Sequence, residues 1–275
     1  MKRAALAALL VALTGALVGC GGGGAPDLSG VAQAAQKTED AGTARFELSV
    51  DAEGASSLSA EGAVDYERQR ARMSMDLGSL GGLLGGQSSA SEDLALDVII
   101  DGKVFYMRFP LLSELVGKGR PWLKLDLEQL AEQSGADLGQ LDQLSQLDPS
   151  QALTYLRGAG EFSEVGDEDV RGVPTTRYEG TIDLRAAVDE APADQRKQLE
   201  QLLEGSGVSE LPAEAWIDGD GYLRQLTLDF SALAEAPFSM AMELFDFGGP
   251  VELDLPSDDE VTDITELASQ GGLGG

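Results

Sequence analysis

Residues 94–109 read LALDVIIDGKVFYMRF, and this stretch decides the fold. Apolar and polar residues alternate on both sides of Asp101-Gly102, a dipeptide that favours a two-residue hairpin turn. With these two residues as the loop, the strands would pair so that Leu96 lies directly opposite Met107. The apolar residues of both strands then share one face. The sequence therefore predicts a β-hairpin that covers a core on one side.

The same period-two alternation continues in both directions from this hairpin. Further strands are predicted at 43–50, 58–66, 70–77, 122–127, 161–165, 170–182, 213–217, 222–230 and 238–244. Helices are predicted at 31–40, 128–134, 138–147, 150–157 and 183–204. Successive strands with one polar face indicate an antiparallel sheet, and the added helices indicate an α+β domain.

Residues 78–92 interrupt the alternation with a stretch rich in Gly, Ser and Leu. An irregular segment of this length inside a domain is usually functional or disordered. Two interpretations stay open: a disordered insertion, or a mobile lip over an apolar opening.

Composition excludes several classes of function. The 275 residues include 48 Asp and Glu, 19 Lys and Arg, one Cys and no His, for a net charge of −29. Without His, Ser-His-Asp catalysis, Cys-His catalysis and zinc sites of the Cys/His type are impossible. The negative charge argues against nucleic acid as a partner, because phosphates are bound by Lys and Arg.

No catalytic residue, cofactor or metal site is predicted, and we do not expect an enzyme. Asp218-Gly-Asp-Gly resembles a fragment of a calcium loop, but the remaining ligands are missing. We interpret this motif as a hairpin turn, because Asp-Gly pairs suit the backbone of such turns.

The amino terminus is typical of an exported lipoprotein. Residues 1–19 combine Lys2 and Arg3 with an apolar run that is shorter than the ~20 residues of a membrane span, as in a signal peptide. Residues 17–20 read Leu-Val-Gly-Cys and resemble the lipobox of bacterial lipoproteins. The resemblance implies cleavage between Gly19 and Cys20 and a diacylglyceryl thioether on Cys20. Residues 20–28 would then be a lipidated, Gly-rich tether on the extracytoplasmic face of the cell membrane.

Segments throughout the rest of the chain carry a family resemblance. They begin at Thr43 (TARFELS), Glu61 (EGAVDY), Ile100 (IDGKVFYMR), Pro121 (PWLKL), Val170 (VRGVPTTRY) and Ala215 (AWIDGDG). These segments resemble actinobacterial lipoproteins of the mycobacterial LppX/LprG type. The resemblance implies a strongly curved antiparallel sheet, a half-barrel similar to that of the LolA/LolB carriers. Helices would pack against it and enclose an apolar cavity for acyl chains. A single domain would span residues 29–265, followed by a flexible tail at 266–275.

The family resemblance implies a lipid or glycolipid ligand that the protein carries or presents in the cell envelope, and we expect a monomer. Methionine is flexible and polarizable, which suits a permissive apolar site. Whether the apolar face is an open cavity or a packed core stays open. The alternative function is a ligand-free structural or regulatory lipoprotein that binds another envelope protein through its acidic face. The candidate cavity-lining residues are Phe46, Leu48, Met73, Met75, Leu96, Val98, Phe105, Met107, Met240 and Met242.

Overall fold

A computed structural model describes residues 29–52, 58–76, 95–110, 113, 116, 118–134, 156, 159–185, 208–232 and 237–266. Its helices over these residues are α1 (Ser29–Asp40) and α2 (Leu127–Ser134). The strands are β1 (Thr43–Ala52), β2 (Leu58–Asp65), β3 (Arg70–Asp76), β4 (Ala95–Asp101), β5 (Val104–Arg108), β6 (Trp122–Asp126), β7 (Ala159–Val170), β8 (Val173–Asp183), β9 (Glu210–Asp218), β10 (Leu223–Asp229), β11 (Phe238–Phe245) and β12 (Val261–Asp263).

The twelve described strands form one curved, open sheet in the order β12-β6-β5-β4-β3-β2-β1-β11-β10-β9-β8-β7. Neighbouring strands are antiparallel except β12, which runs parallel to β6. Strands β2 to β6 extend from β1 on one side, and β11 back to β7 extend from it on the other. The predicted antiparallel sheet is therefore confirmed, and most of its neighbours are consecutive in the chain.

Pairing registers divide the side chains of the sheet into two faces. The inner face carries Ala44 and Phe46 of β1 and the apolar residues directly opposite them, and it forms the hydrophobic core. The outer face carries Arg45 and Glu47 of the same strand and their polar neighbours. One apolar face and one polar face follow from the period-two alternation of the strands.

Helix α1 packs on the inner face through its apolar residues and is fixed by one buried hydroxyl. Thr38 donates a hydrogen bond to the Ala34 carbonyl over 2.8 Å and accepts one from the Leu223 N–H over 3.0 Å. Lys37 also donates to the Asp220 carbonyl. These contacts join the end of α1 to the β9–β10 hairpin.

The β4–β5 hairpin has a register that differs by two residues from the predicted one. Gly102 and Lys103 form the loop, Asp101 lies opposite Val104, and Met107 lies opposite Val98 instead of Leu96. The cause is a long-range ion pair with Arg70 of β3. Its Nε and Nη2 each lie 2.9 Å from Oδ1 of Asp101. A shift of two residues preserves the faces, so the inner residues were predicted correctly but their partners were not.

Further differences from the predicted elements concern the strands around the β7–β8 turn and β12, and three predicted helices lie almost entirely outside the described residues. The strand predicted at 170–182 begins at Val173 instead, because Arg171 and Gly172 form the turn between β7 and β8. The strand predicted at 161–165 extends over Ala159–Val170. Strand β12 was not predicted, since three residues are too few to show a period. The predicted helices at 138–147, 150–157 and 183–204 lie almost entirely outside the described residues.

Asp218-Gly-Asp-Gly is a hairpin turn, as predicted. Asp218 Oδ1 accepts the backbone N–H groups of Asp220 and Tyr222 over 3.0 and 2.9 Å. Its Oδ2 accepts the Nε of Arg224 over 2.6 Å. The carboxylate is therefore engaged in holding the turn and the following strand.

Candidate functional site

The ten candidate residues of the inner face are brought together by the register of the sheet. We call a row of directly opposite residues across neighbouring strands a rung. One rung of the inner face contains Phe46, Met73, Val98 and Met107, with Gly62 between the first two. A second rung contains Met242, Leu48, Met75 and Leu96, and neighbouring rungs supply Met240 and Phe105.

Burial differs between the two ends of this set. Phe46, Met73, Val98, Phe105 and Met242 are buried in the core. Leu48, Met75, Leu96, Met107 and Met240 are half-buried and pack against it. The half-buried residues, apart from Met107, lie in the two rungs nearer the end of the sheet where β1 ends at Ala52. The inner face thus combines a packed region with a partly exposed apolar region.

A glycine allows Phe46 to lie flat on the inner face. Gly62 is directly opposite Phe46 in β2. A Cβ atom on Gly62 would lie 2.4 Å from Cζ of Phe46 and 2.2 Å from the backbone oxygen of Arg72. The missing side chain therefore creates the space that the Phe46 ring occupies.

Sequence reasoning missed four apolar residues of the partly exposed region. Val50 lies opposite both Leu58 and Met240 on the inner face, and all three are half-buried. Phe230 and Phe238 stack with ring centroids 4.9 Å apart at the same end of the sheet. The same alternation that selected the ten candidates would have found them.

The inner face offers apolar contact and no charged group over the described residues of β1–β6 and β11. Tyr178 of β8 also faces the core and lies on the second rung, the one that contains Met242. Burial, assisted by the negative charge of Glu164, raises the pKa of the Tyr178 phenol above its ordinary value. This phenol stays neutral at physiological pH, so it and the apolar strands suit the flexible acyl part of a ligand.

Two grooves lie on the outer face and are lined mainly by polar residues. The first has a volume of about 340 Å³ and the second of about 640 Å³, and they share Glu47, Glu61 and Ser74. No group of three or more potential metal-ligating side chains occurs within the described part of the chain. The apolar cavity on the inner face stays a prediction.

Gly19 and Cys20, the predicted cleavage and lipidation site, lie outside the described residues. Residues 78–92, the predicted insertion or lip, lie outside them as well. Among the described helices, neither is long and apolar enough to cross a membrane.

Comparisons with known proteins found similar chains from Streptomyces. No known family profile matches it. An uncharacterized 31.2 kDa protein of Streptomyces griseus, from the rplA–rplJ intergenic region, is 30% identical over 158 residues, which are 56% of this chain and 52% of that protein. A predicted lipoprotein of Streptomyces coelicolor is 41% identical over 73 residues, 26% of this chain and 25% of that protein. The chain thus matches about half the length of the first relative and a quarter of the second.

Several solved structures match most of this chain at low sequence identity. The lipoprotein LppX of Mycobacterium tuberculosis has 16% identity and a TM-score of 0.46, covering 82% of this chain and 98% of its own. LprF from Mycobacterium bovis has 16% identity and a TM-score of 0.48, covering 85% and 100%. A LolA superfamily protein from Nitrosomonas europaea has 9% identity and a TM-score of 0.28, covering 81% and 95%. Mycobacterial lipoproteins of the kind that the sequence resembles are therefore among the structural matches.

Proposed function

We propose that this chain is a membrane-anchored envelope lipoprotein that binds the acyl chains of a lipid or glycolipid on its inner face and carries or presents them. One observation carries the proposal: the predicted apolar residues meet on one continuous face, and half of them are only half-buried. Sites for apolar ligands are lined predominantly by hydrophobic side chains, which this face supplies. The function needs no catalytic group.

Attachment to the membrane would come from the amino terminus. The lipobox supports acylation of Cys20, and two acyl chains anchor a protein far more firmly than one. Residues 20–28 would tether the domain that begins at residue 29 to the extracytoplasmic surface. The predicted lipoprotein of Streptomyces coelicolor, similar over 73 residues, supports the same assignment.

Leu96→Arg tests the inner face directly. Leu96 is half-buried beside Met75, so an arginine stem can lie along the apolar surface while its charged head reaches solvent. We expect a folded protein that co-purifies with less lipid, measured by lipid mass spectrometry and thermal melting of the full chain.

Two control variants make this result specific. Ala95→Arg adds the same charge to the adjacent, exposed position and should leave lipid content unchanged. Val98→Arg places the charge where the side chain is buried, and it should unfold the protein because an isolated buried charge is very costly. If Leu96→Arg unfolds as well, Leu96→Gln replaces it in the same measurement. A folded Leu96 variant that retains the wild-type amount of lipid would contradict the proposed function.

A further inference from the structure

The larger groove of the outer face, here called the outer groove, has a floor and two walls. It has a volume of about 640 Å³. Strands β1 to β4 form the floor, Arg171 of the β7–β8 turn stands at one side, and Val251 and Glu252 stand at another. The groove lies on the opposite face of the sheet from the proposed lipid site.

Named contacts hold both walls in place. Arg171 lies 3.0 Å from carboxylate oxygens of Glu47 and of Glu243, and its guanidinium stacks 4.0 Å from the centroid of Phe245. The hydrogen bonds to these two glutamates raise the pKa of Arg171.

The segment that contains Val251 is fixed at both ends. Gly249 accepts a hydrogen bond from the Thr43 hydroxyl over 2.7 Å, and the carbonyl of the buried Leu253 accepts one from Arg70 over 3.4 Å. Specific hydrogen bonds and ion pairs therefore fix the walls of the outer groove.

Charges on the floor of the outer groove are sorted into two adjacent rungs. Over β11 and β1 to β4, the basic rung consists of Phe245, Arg45, Ala63, Arg72 and Ile99. Over the same strands, the acidic rung consists of Glu243, Glu47, Glu61, Ser74 and Asp97. The two rungs are two residues apart along each strand, which corresponds to about 7 Å.

No described residue neutralises Arg72. It is half-buried on the floor of the groove and has no hydrogen-bond or ion-pair partner among the described residues. The residues directly opposite it are Ala63 and Ile99, which are uncharged. Other arginines on this sheet are paired: Arg108 lies 2.6 Å from Asp97, and Arg70 lies 2.9 Å from Asp101. An unpaired, half-buried arginine is unusual in a chain with a net charge of −29.

The acidic rung also contains a carboxylate without an ion pair among the described residues. Glu47 lies directly opposite both Glu243 and Glu61, and like charges in this arrangement repel each other. Arg171 compensates Glu47 and Glu243, whereas Glu61 has no ion pair among the described residues. Within the described part of the chain, the guanidinium of Arg72 and the carboxylate of Glu61 therefore have no ion pair and lie in neighbouring rungs.

We propose that the outer groove binds an extended peptide segment of a partner protein, with a carboxylate of the peptide on Arg72 and a basic side chain on Glu61. Alternate side chains of an extended peptide point the same way and lie about 7 Å apart. This spacing matches the about 7–8 Å between diagonal neighbours on adjacent strands, which is how Arg72 of β3 and Glu61 of β2 are related. The recognised pattern is an acidic and a basic residue separated by one residue. The carboxylates near Arg72 would repel a polyanion, which favours this mixed-charge ligand.

The test uses fluorescein-labelled heptapeptides of Ala and Ser that contain one Glu and one Lys. The two charged residues are placed one, two or three positions apart, in both orders, and binding to the full chain is measured by fluorescence polarisation. The wild-type protein should bind a peptide with a spacing of two at least about tenfold more tightly than the other spacings. Arg72→Gln should remove this preference.

Arg185→Gln is the matched control, because Arg185 is exposed and also has no side-chain partner among the described residues. It should bind the peptides as the wild type does. A wild-type protein without a spacing preference would overturn the proposal, and so would an Arg72→Gln variant that keeps the preference. Displacement of the peptide by equimolar acetate would also overturn it, because the site would then recognise a free carboxylate only. None of these outcomes depends on whether the inner face binds lipid.

Discussion

Gly62 shows how one residue determines the packing of the inner face. Phe46 is fully buried because the position directly opposite it has no side chain. Any larger residue at position 62 would have to displace the Phe46 ring or the backbone oxygen of Arg72. Arg72 also lies on the floor of the outer groove, so the close packing at Gly62 connects the two faces of the sheet.

Gly62→Ala should destabilise the protein. The added methyl group overpacks a site with no free space, which typically costs about 1–3 kcal/mol. Urea denaturation would measure the change in the free energy of unfolding. Gly219→Ala is the control, since no atom lies within 4 Å of its Cβ position, and its effect should stay within about 0.5 kcal/mol. Equal effects of the two substitutions would contradict this description of the packing.

Individual residues were predictable from the sequence only as members of a face. Alternation placed Leu96 and Val98 on the same side of β4, which is correct. It could not show that Val98 is buried while Leu96 is half-buried, because the difference depends on what covers each end of the sheet. The unpaired state of Arg72 was equally invisible, since it depends on which residues three other strands place nearby.

Helix α1 illustrates how a short element is fixed to the sheet. A helix was predicted from the sequence at 31–40, and α1 packs its apolar residues on the core. Its position depends in addition on Thr38, whose hydroxyl satisfies the buried N–H of Leu223. That bond joins residues far apart in the chain, so no local pattern indicates it.

Thr38→Val should weaken this attachment. The substitution keeps the size of the side chain but leaves the Leu223 N–H without an acceptor, which costs about 1–3 kcal/mol for a buried group. Chemical denaturation should show the loss, and amide exchange of Leu223 should accelerate. Thr38→Ser retains the hydroxyl and should preserve the slow exchange. Slow exchange at Leu223 in the Thr38→Val protein would show that the hydroxyl is unimportant.

Long-range contacts also explain the elements that the sequence predicted imperfectly. The β4–β5 register was wrong by two residues because Arg70 of β3 binds Asp101 and removes it from the loop. Strand β12 depends on backbone hydrogen bonds with β6. The carbonyl of Glu260 accepts the Trp122 N–H, and the carbonyl of Lys124 accepts the Ile264 N–H. Both features require a partner strand that the local sequence does not reveal.

At the level of the whole molecule, the open sheet separates two kinds of surface. The inner face is apolar and the outer face is charged. Arg171 of the β7–β8 turn reaches Glu47 of β1 and Glu243 of β11, although β9 and β10 lie between these strands in the sheet. This contact on the outer face links the β7–β8 turn to the middle of the sheet. A lipid and a partner peptide could therefore bind at the same time without competing for space.

Anchoring of the whole molecule should depend on Cys20. Cys20→Ser removes the sulfur that would carry the diacylglyceryl group, so the protein should remain an uncleaved precursor without acyl label. Metabolic labelling with a palmitate analogue would measure this, with Gly22→Ser as a control that leaves the proposed lipobox intact. Equal labelling of the Cys20→Ser protein and the wild type would refute the anchor.

The most direct measurement of lipid binding is photo-crosslinking with a fatty acid that carries a diazirine in its acyl chain. After irradiation of the full chain, peptide mass spectrometry locates the modified residues. We predict labels on the half-buried region of the inner face, at Leu48, Met75, Leu96 and Met240, and their loss when unlabelled fatty acid is added in excess. Labels confined to the outer face, or labels that excess fatty acid does not reduce, would contradict a lipid site on the inner face.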